Sequence, residues 1–125
     1  MSKAYELGLY EKAMPGTLTW KERLEAAKAA GYDYVEISID ATEEKIARLD
    51  MDRESRLELV KTMYETGLPI RTMCVSALTK YAIGSSDEAC CARGMTILEK
   101  SLQLADDLGI RVVMIPGYDV YYEES

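Results

Sequence analysis

The chain has 125 residues, of which 48% are hydrophobic, and a formal net charge of −7. That is the length of one domain, with enough apolar side chains to bury a core. The acidic balance excludes a general nucleic-acid surface, which needs a basic stripe, and no run of about 18 apolar residues is present to cross a membrane.

A small phosphorylated ligand stays compatible with this charge, because two or three local donors suffice to bind one. The first segment, MSKAYELGLYEK, lacks a long apolar stretch, so no secretory leader is expected. The cysteines are Cys74, Cys90 and Cys91. An odd number with two adjacent members points to reduced thiols and a cytoplasmic protein. There is no His and no Phe. Lack of His removes the commonest metal ligand and the commonest base near neutral pH.

In chain order, the first strand pattern is Tyr5 to Tyr10, with Leu7 and Leu9 on one face. Pro15-Gly16 marks a turn. Thr19-Trp20-Lys21-Glu22 fits a capping box: the Thr19 hydroxyl accepts from a helix amide and Glu22 reaches back. The helix that follows carries Trp20, Leu24 and Ala27 at helical spacing. It ends near Gly31, where a left-handed cap is expected. The second strand is Tyr34 to Ile39, followed by Asp40 and a short helical turn over Thr42 to Arg48. Asp52 caps the next helix, whose inward face reads Leu57, Val60, Met63 and Tyr64, and Gly67 closes it. Pro69 leads into the third strand, Ile70 to Ser76, because proline is tolerated at a strand's first position. After the loop Ala77 to Gly84, Ser85 and Glu88 offer a second capping box. The last helix runs to about Leu108 with Met95, Leu98, Leu102 and Ala105 inward. Gly109 ends it, and the fourth strand is Arg111 to Ile115.

The helix–glycine–strand succession therefore occurs three times, with 36 residues from Gly31 to Gly67 and 42 from Gly67 to Gly109. The strands are apolar with little alternation, as in a parallel sheet covered by helices. The expected fold is α/β: a parallel (β/α) half-barrel of four strands and three to four helices, spanning residues 1–125 as a single domain. A flavodoxin-like sheet is the alternative, but YEKAMPGTLT is a poor phosphate loop for one.

Ligands of parallel β/α folds sit at the carboxyl ends of the strands. That selects Tyr10, Glu11 and Lys12; Glu36, Ser38 and Asp40; Ser76, Thr79, Lys80 and Tyr81; and Gly117, Tyr118, Asp119 and Tyr121. Glu36 stands out as a carboxylate inside an apolar strand, where it is costly unless paired. It either faces a site or forms a structural ion pair with Lys12 or Arg71. Lys12 and Lys80 suit a phosphate or a hydroxyl-rich ligand, or are ordinary surface lysines. Cys74 reads as core packing. There is no glycine-rich phosphate loop, no nucleophile elbow and no zinc-type Cys or His spacing.

The stretches GLYEKAMPG, GYDYVEISID, RLDMDRESRL, ETGLPIRTMCVSA and IRVVMIPGYDVYYEES together resemble the N-terminal half of the L-ribulose-5-phosphate 3-epimerases. These are also described as hexulose-6-phosphate isomerases and are xylose-isomerase-like TIM barrels. The resemblance implies 3-epimerisation of a pentulose 5-phosphate (L-ribulose or L-xylulose 5-phosphate) by metal-assisted proton transfer at C3. It implies a divalent metal such as Mn or Mg for the full-length family, held by residues of the C-terminal half, so this chain is assigned no metal ligand and no cofactor of its own. The substrate-lining set that carries over is Tyr10, Lys12, Glu36, Ser76, Lys80 and Tyr118. Leu78 stands where the family usually carries a His. The chain is thus expected to bind a small phosphorylated sugar, to be inactive alone, and to form a homo-oligomer through open sheet edges, with no nucleic-acid or membrane partner. The alternative is a non-catalytic sugar-phosphate-binding or oligomerisation module.

Overall fold

A computed structural model describes residues 4–117. Four parallel strands, β1 (Gly8–Tyr10), β2 (Tyr34–Ser38), β3 (Ile70–Cys74) and β4 (Val112–Met114), form one sheet in the order β1-β2-β3-β4. Helices α1 (Trp20–Ala29), α2 (Glu43–Ile46), α3 (Arg53–Thr66) and α4 (Glu88–Leu108) lie in the connections. The fold is the α/β half-barrel expected from the sequence.

Pleating sorts the strand residues into two faces. Val35, Ile37 and Ile39 of β2 and its exit, with Ile70, Met73 and Val75 from β3 and its exit, are buried under the helices. Leu24 and Ala27 of α1, Leu59 and Met63 of α3, and Ile97, Leu104 and Leu108 of α4 pack in the same core. The opposite face carries Tyr10, Glu36, Thr72 and Val112 at one level, because these are register partners across the four strands. Ser38, Cys74 and Met114 form the next level toward the carboxyl ends. A register shift between Val35 and Glu36 leaves Arg71 as an extra residue. Arg71 lies over the Tyr34 ring and pairs with Glu6.

Local chemistry explains the boundaries. The Thr19–Glu22 capping box is present in full, and Asp52 accepts from the Ser55 amide at 2.8 Å. Thr42 caps α2, which continues as a 3₁₀ turn over Ala47–Asp50. Gly67 and Gly109 cap α3 and α4 at φ +73°, a left-handed conformation costly for any residue with a Cβ.

Four expectations are corrected. The cap of α4 is Asp87, whose carboxylate accepts from the amides of Ala89 and Cys90; Ser85 instead accepts from the Asp87 amide. On α3, Leu57 and Tyr64 are 57% and 85% exposed, and the buried stripe is Leu59, Met63 and Thr66. On α4, Met95 and Leu102 are exposed and the buried stripe is Gly94, Ile97, Ser101, Leu104, Ala105 and Leu108. Both helices are apolar over more than one stripe, so spacing alone left the inward face open. The sheet selects the stripe that on α4 contains the small residues Gly94 and Ser101. The first strand is also shorter than its pattern, since the Leu7 amide bonds the Asp33 carboxylate at 2.7 Å.

Gly94 sets how closely α4 approaches the loop before it. A Cβ at this position would run into the Tyr81 carbonyl oxygen, with the Ile83 side chain 3.3 Å away. Gly94→Ala should therefore destabilise the chain by about 1–3 kcal/mol despite alanine's better helix propensity. A urea midpoint at or above that of the wild type would show that the loop yields freely.

Candidate functional site

The carboxyl ends of the strands gather most of the polar residues of the uncovered face. Strand β1 ends at Tyr10, and a 3₁₀ turn over Glu11–Ala13 follows at once. That turn sends Tyr10 and Lys12 toward the ends of β2, and Glu11 the other way. The Tyr10 hydroxyl donates to Ser38 Oγ at 3.1 Å. The Lys12 ammonium pairs with Asp40 at 2.9 Å. The Thr72 hydroxyl donates to Glu36 at 2.7 Å. Cys74 sits against Tyr10 and the Glu36 carboxylate.

The acidities follow from these contacts. Burial pushes the Tyr10 phenol up, with the Ser38 bond opposing. Burial likewise raises the Cys74 thiol; the Tyr10 bond works against it and the Glu36 charge adds to it. The Asp40 bond raises Lys12 above its ordinary value, against some burial. At Asp40, burial pushes upward, but the Thr42 hydroxyl and amide and the Lys12 ammonium prevail and hold the carboxyl at about 2. Near neutral pH the site therefore presents a protonated phenol, a protonated thiol, an ammonium and an ionised Asp40.

Asp40 should also leave a mark on stability. Its folded value of about 2 lies below the ordinary 3.8. The stabilisation is thus fully present above pH ~4 and lost as pH falls toward about 2, and is on the order of 2 kcal/mol. Urea unfolding of Asp40→Asn should show a deficit of this size at neutral pH that closes as the medium is acidified. A deficit constant with pH would contradict the assignment.

The buried acid of the region is Glu11, only 2% exposed. Its carboxylate accepts from the Ser38 amide at 2.6 Å, from both terminal nitrogens of Arg48 and from Lys45 at 3.3 Å. Arg23 Nε stands 3.9 Å away. The Trp20 ring carries the Arg23 guanidinium at 4.9 Å and that of Arg48 at 5.1 Å. Burial alone would raise the Glu11 pKa, but the Arg48, Ser38 and Lys45 contacts lower it. The strand-end rule included Glu11 among its candidates but did not mark it as the buried acid, because its cationic partners lie on α1 and on the segment after β2. The usable signal was position: an acid directly after the last residue of an edge strand.

The structure brings Tyr10, Lys12 and Glu36 together on one face, and neither Lys12 nor Arg71 pairs with Glu36 among the described contacts. Ser76 opens the 3₁₀ turn Ser76–Thr79, where its carbonyl accepts from the Thr79 hydroxyl and its amide meets the Cys74 sulfur. Lys80 is exposed, with its ammonium 5.4 Å from the Tyr81 ring, which also carries Arg93 of α4 at 4.2 Å. No described contact joins Lys80 to the Tyr10 cluster. Tyr118 lies outside the described residues. Leu78 is buried in the core. The three cysteines are free.

Two hollows flank the sheet. One, of about 340 Å³, lies at the strand ends and is lined by Cys74, Met114, Ile115, Pro116 and Gly117. A larger one of about 560 Å³ opens between the carboxyl ends of α3 and α4, with Val60, Met63, Pro69 and Leu108 in its wall. The second faces the amino ends of the strands, the side on which parallel barrels place no chemistry. The smaller hollow adjoins the candidate site through Cys74. Among the described residues no three His, Cys, Asp or Glu side chains stand together to hold a metal ion, and no helix is long and apolar enough to cross a membrane.

The chain is similar to known proteins in sequence and in fold. The chain is 49% identical over all 125 residues to the L-ribulose-5-phosphate 3-epimerases UlaE of Escherichia coli O139:H28 and of Shigella boydii serotype 18, and spans 44% of the length of each. The solved structure of D-psicose 3-epimerase in the presence of D-fructose superposes with a TM-score of 0.70 at 17% identity, over 87% of this chain and 36% of that one. The apo 3-keto-D-glucoside 4-epimerase YcjR of E. coli gives 0.62 at 22% identity, over 86% and 36%. These two establish likeness of fold. The family model of the xylose isomerase-like TIM barrels matches residues 24–125, and the chain belongs to that family.

Proposed function

We propose that the chain forms the substrate-lining half of a sugar-phosphate 3-epimerase site and takes a pentulose 5-phosphate such as L-ribulose or L-xylulose 5-phosphate. The observation that carries this reading is the 49% identity to L-ribulose-5-phosphate 3-epimerases along the whole chain. The chemistry of the cluster agrees. Lys12 spends one donor on Asp40 and has two left for hydroxyl or phosphate oxygens. Thr72 engages one oxygen of Glu36 and leaves the other to accept from a sugar hydroxyl. Tyr10 and Ser38 supply further hydroxyls.

Epimerisation at C3 needs a base, an acid on the opposite face and stabilisation of the enediolate between them. Tyr10, Lys12 and Cys74 are all shifted toward their protonated forms, and Asp40 is too weak a base. These groups hold and orient a sugar; they do not take its proton. Among the described residues no cluster of side chains fits a divalent metal. Catalysis, in this reading, requires the part of the family barrel that this chain does not span, and the chain alone is inactive. A cytoplasmic setting accords with the free thiols.

A second reading is a sugar-phosphate-binding module without catalysis. Leu78, packed in the core where the family pattern carries a His, favours it.

Calorimetry with L-ribulose 5-phosphate tests the common part of both readings. Binding heat is expected, and Lys12→Met should weaken affinity roughly 10–100-fold, the worth of a charge-assisted hydrogen bond. Absence of heat from the wild-type chain would reject both.

A further inference from the structure

Strand β1 has only three residues, yet the β1–β2 ladder does not end in open backbone. Where the next β1 carbonyl would accept from Ser38, the carboxylate of Glu11 does so, at 2.6 Å. Arg48 closes the arrangement by bonding Glu11 with both terminal nitrogens and the Ser38 carbonyl at 3.0 Å. Lys45 and Arg23 add positive charge on the outer side. The residues on either side of Glu11 are Tyr10 and Lys12. Both reach back to β2 or its exit, to Ser38 and to Asp40. Three consecutive residues are thus tied to Ser38 and Asp40, the middle one buried and its neighbours facing the candidate site.

The Lys12–Asp40 pair alone has little power to fix a flexible lysine, because the Lys12 side chain is half-exposed and a single monodentate contact leaves it free to swing. A buried carboxylate with a bidentate arginine is geometrically specific. We infer that Glu11 is a positioning residue: with Arg48 it anchors the turn after β1, so that Tyr10 and Lys12 are presented to the ligand in a fixed arrangement. The inference rests on the proposed sugar-phosphate site for what that arrangement binds. The anchoring itself is a claim about the free chain.

The test uses the full 125-residue chain and two variants, Glu11→Gln, which keeps shape and removes charge, and Arg48→Lys, which keeps charge and removes the fork. Competitive acetylation read by mass spectrometry gives the reactivity of Lys12 relative to Lys61, an exposed lysine on α3. Exchange of the Met73 amide, in the sheet centre, reports that the fold is kept. Glu11→Gln should raise the Lys12 rate about fivefold and weaken L-ribulose 5-phosphate binding at least tenfold, while Met73 stays protected. Arg48→Lys should move both in the same direction by a smaller factor. A folded Glu11→Gln chain with unchanged Lys12 reactivity overturns the inference. If that variant does not fold, unchanged Lys12 reactivity in Arg48→Lys overturns it, and loss of the fold in both does so too, by making Glu11 a folding residue only. Should the wild-type chain bind no sugar phosphate, the proposed function fails, while the labelling result still decides the anchoring.

Discussion

Glu11→Ala should cost about 3–5 kcal/mol, the penalty for removing one partner of a buried ion cluster. The reason is what remains. Arg23, Lys45 and Arg48 have side chains only 7–13% exposed, and all three converge on this one carboxylate. Without it, three cations repel in a poorly solvated space, Arg23 Nε, which already lacks a hydrogen-bond acceptor, loses its counter-charge, and the Ser38 amide loses its partner. A domain of this size has a total stability of about 5–15 kcal/mol, so most of the margin goes. Thermal melting followed by Trp20 fluorescence, with the ring lying between two of the cations, should fall by roughly 10–20 °C. Adding Arg48→Met to Glu11→Ala should recover part of the loss, because one uncompensated charge leaves with it. A single variant that melts within about 2 °C of the wild type would mean that the cluster is far better hydrated than its burial indicates.

The second large effect concerns association. Strands β1 and β4 are the edges of the sheet, and β4 displays Val112 at 57% and Met114 at 49% exposure, followed by exposed Ile115. An unpaired edge strand beside bare apolar side chains is a template for pairing with another chain. We propose that the chain self-associates through this face, a second copy covering what the remainder of a barrel would cover. Sedimentation at micromolar concentration should show dimers or larger species. Association should strengthen with salt, since each copy carries a net charge of −7 and the repulsion is screened. Val112→Lys with Met114→Lys should weaken it roughly 100–1000-fold, the equivalent of re-exposing two apolar side chains worth about 1.5–3 kcal/mol each. Both positions are solvent-facing, so the fold should be indifferent. A stable, monodisperse wild-type monomer would remove the proposal.

Sequence alone carried the fold because its signals were local. Thr19, Asp52, Gly67 and Gly109 punctuate the helices by side-chain and backbone chemistry that needs no tertiary contact. Faces were harder to read. Leu57 and Tyr64 share a helical stripe with Val60, but the sheet accepts the stripe of Leu59 and Met63, a choice made by packing. The strand-end rule selected Tyr10, Lys12 and Glu36, and the register sets Tyr10 beside Glu36. The rule also selected Glu11 but not its role, which depends on Arg23, Lys45 and Arg48, up to 37 residues away in the chain. Nor did it mark the direction of Lys80, which turns to Tyr81.

The most direct test of the central claim is reconstitution. The chain is co-expressed with the part of the E. coli L-ribulose-5-phosphate 3-epimerase that it does not match, and conversion of L-ribulose 5-phosphate is followed with and without Mn²⁺. The account predicts metal-dependent 3-epimerisation by the pair and none by the chain alone. Turnover by the 125-residue chain alone, or a soluble one-to-one complex that turns nothing over, would contradict it.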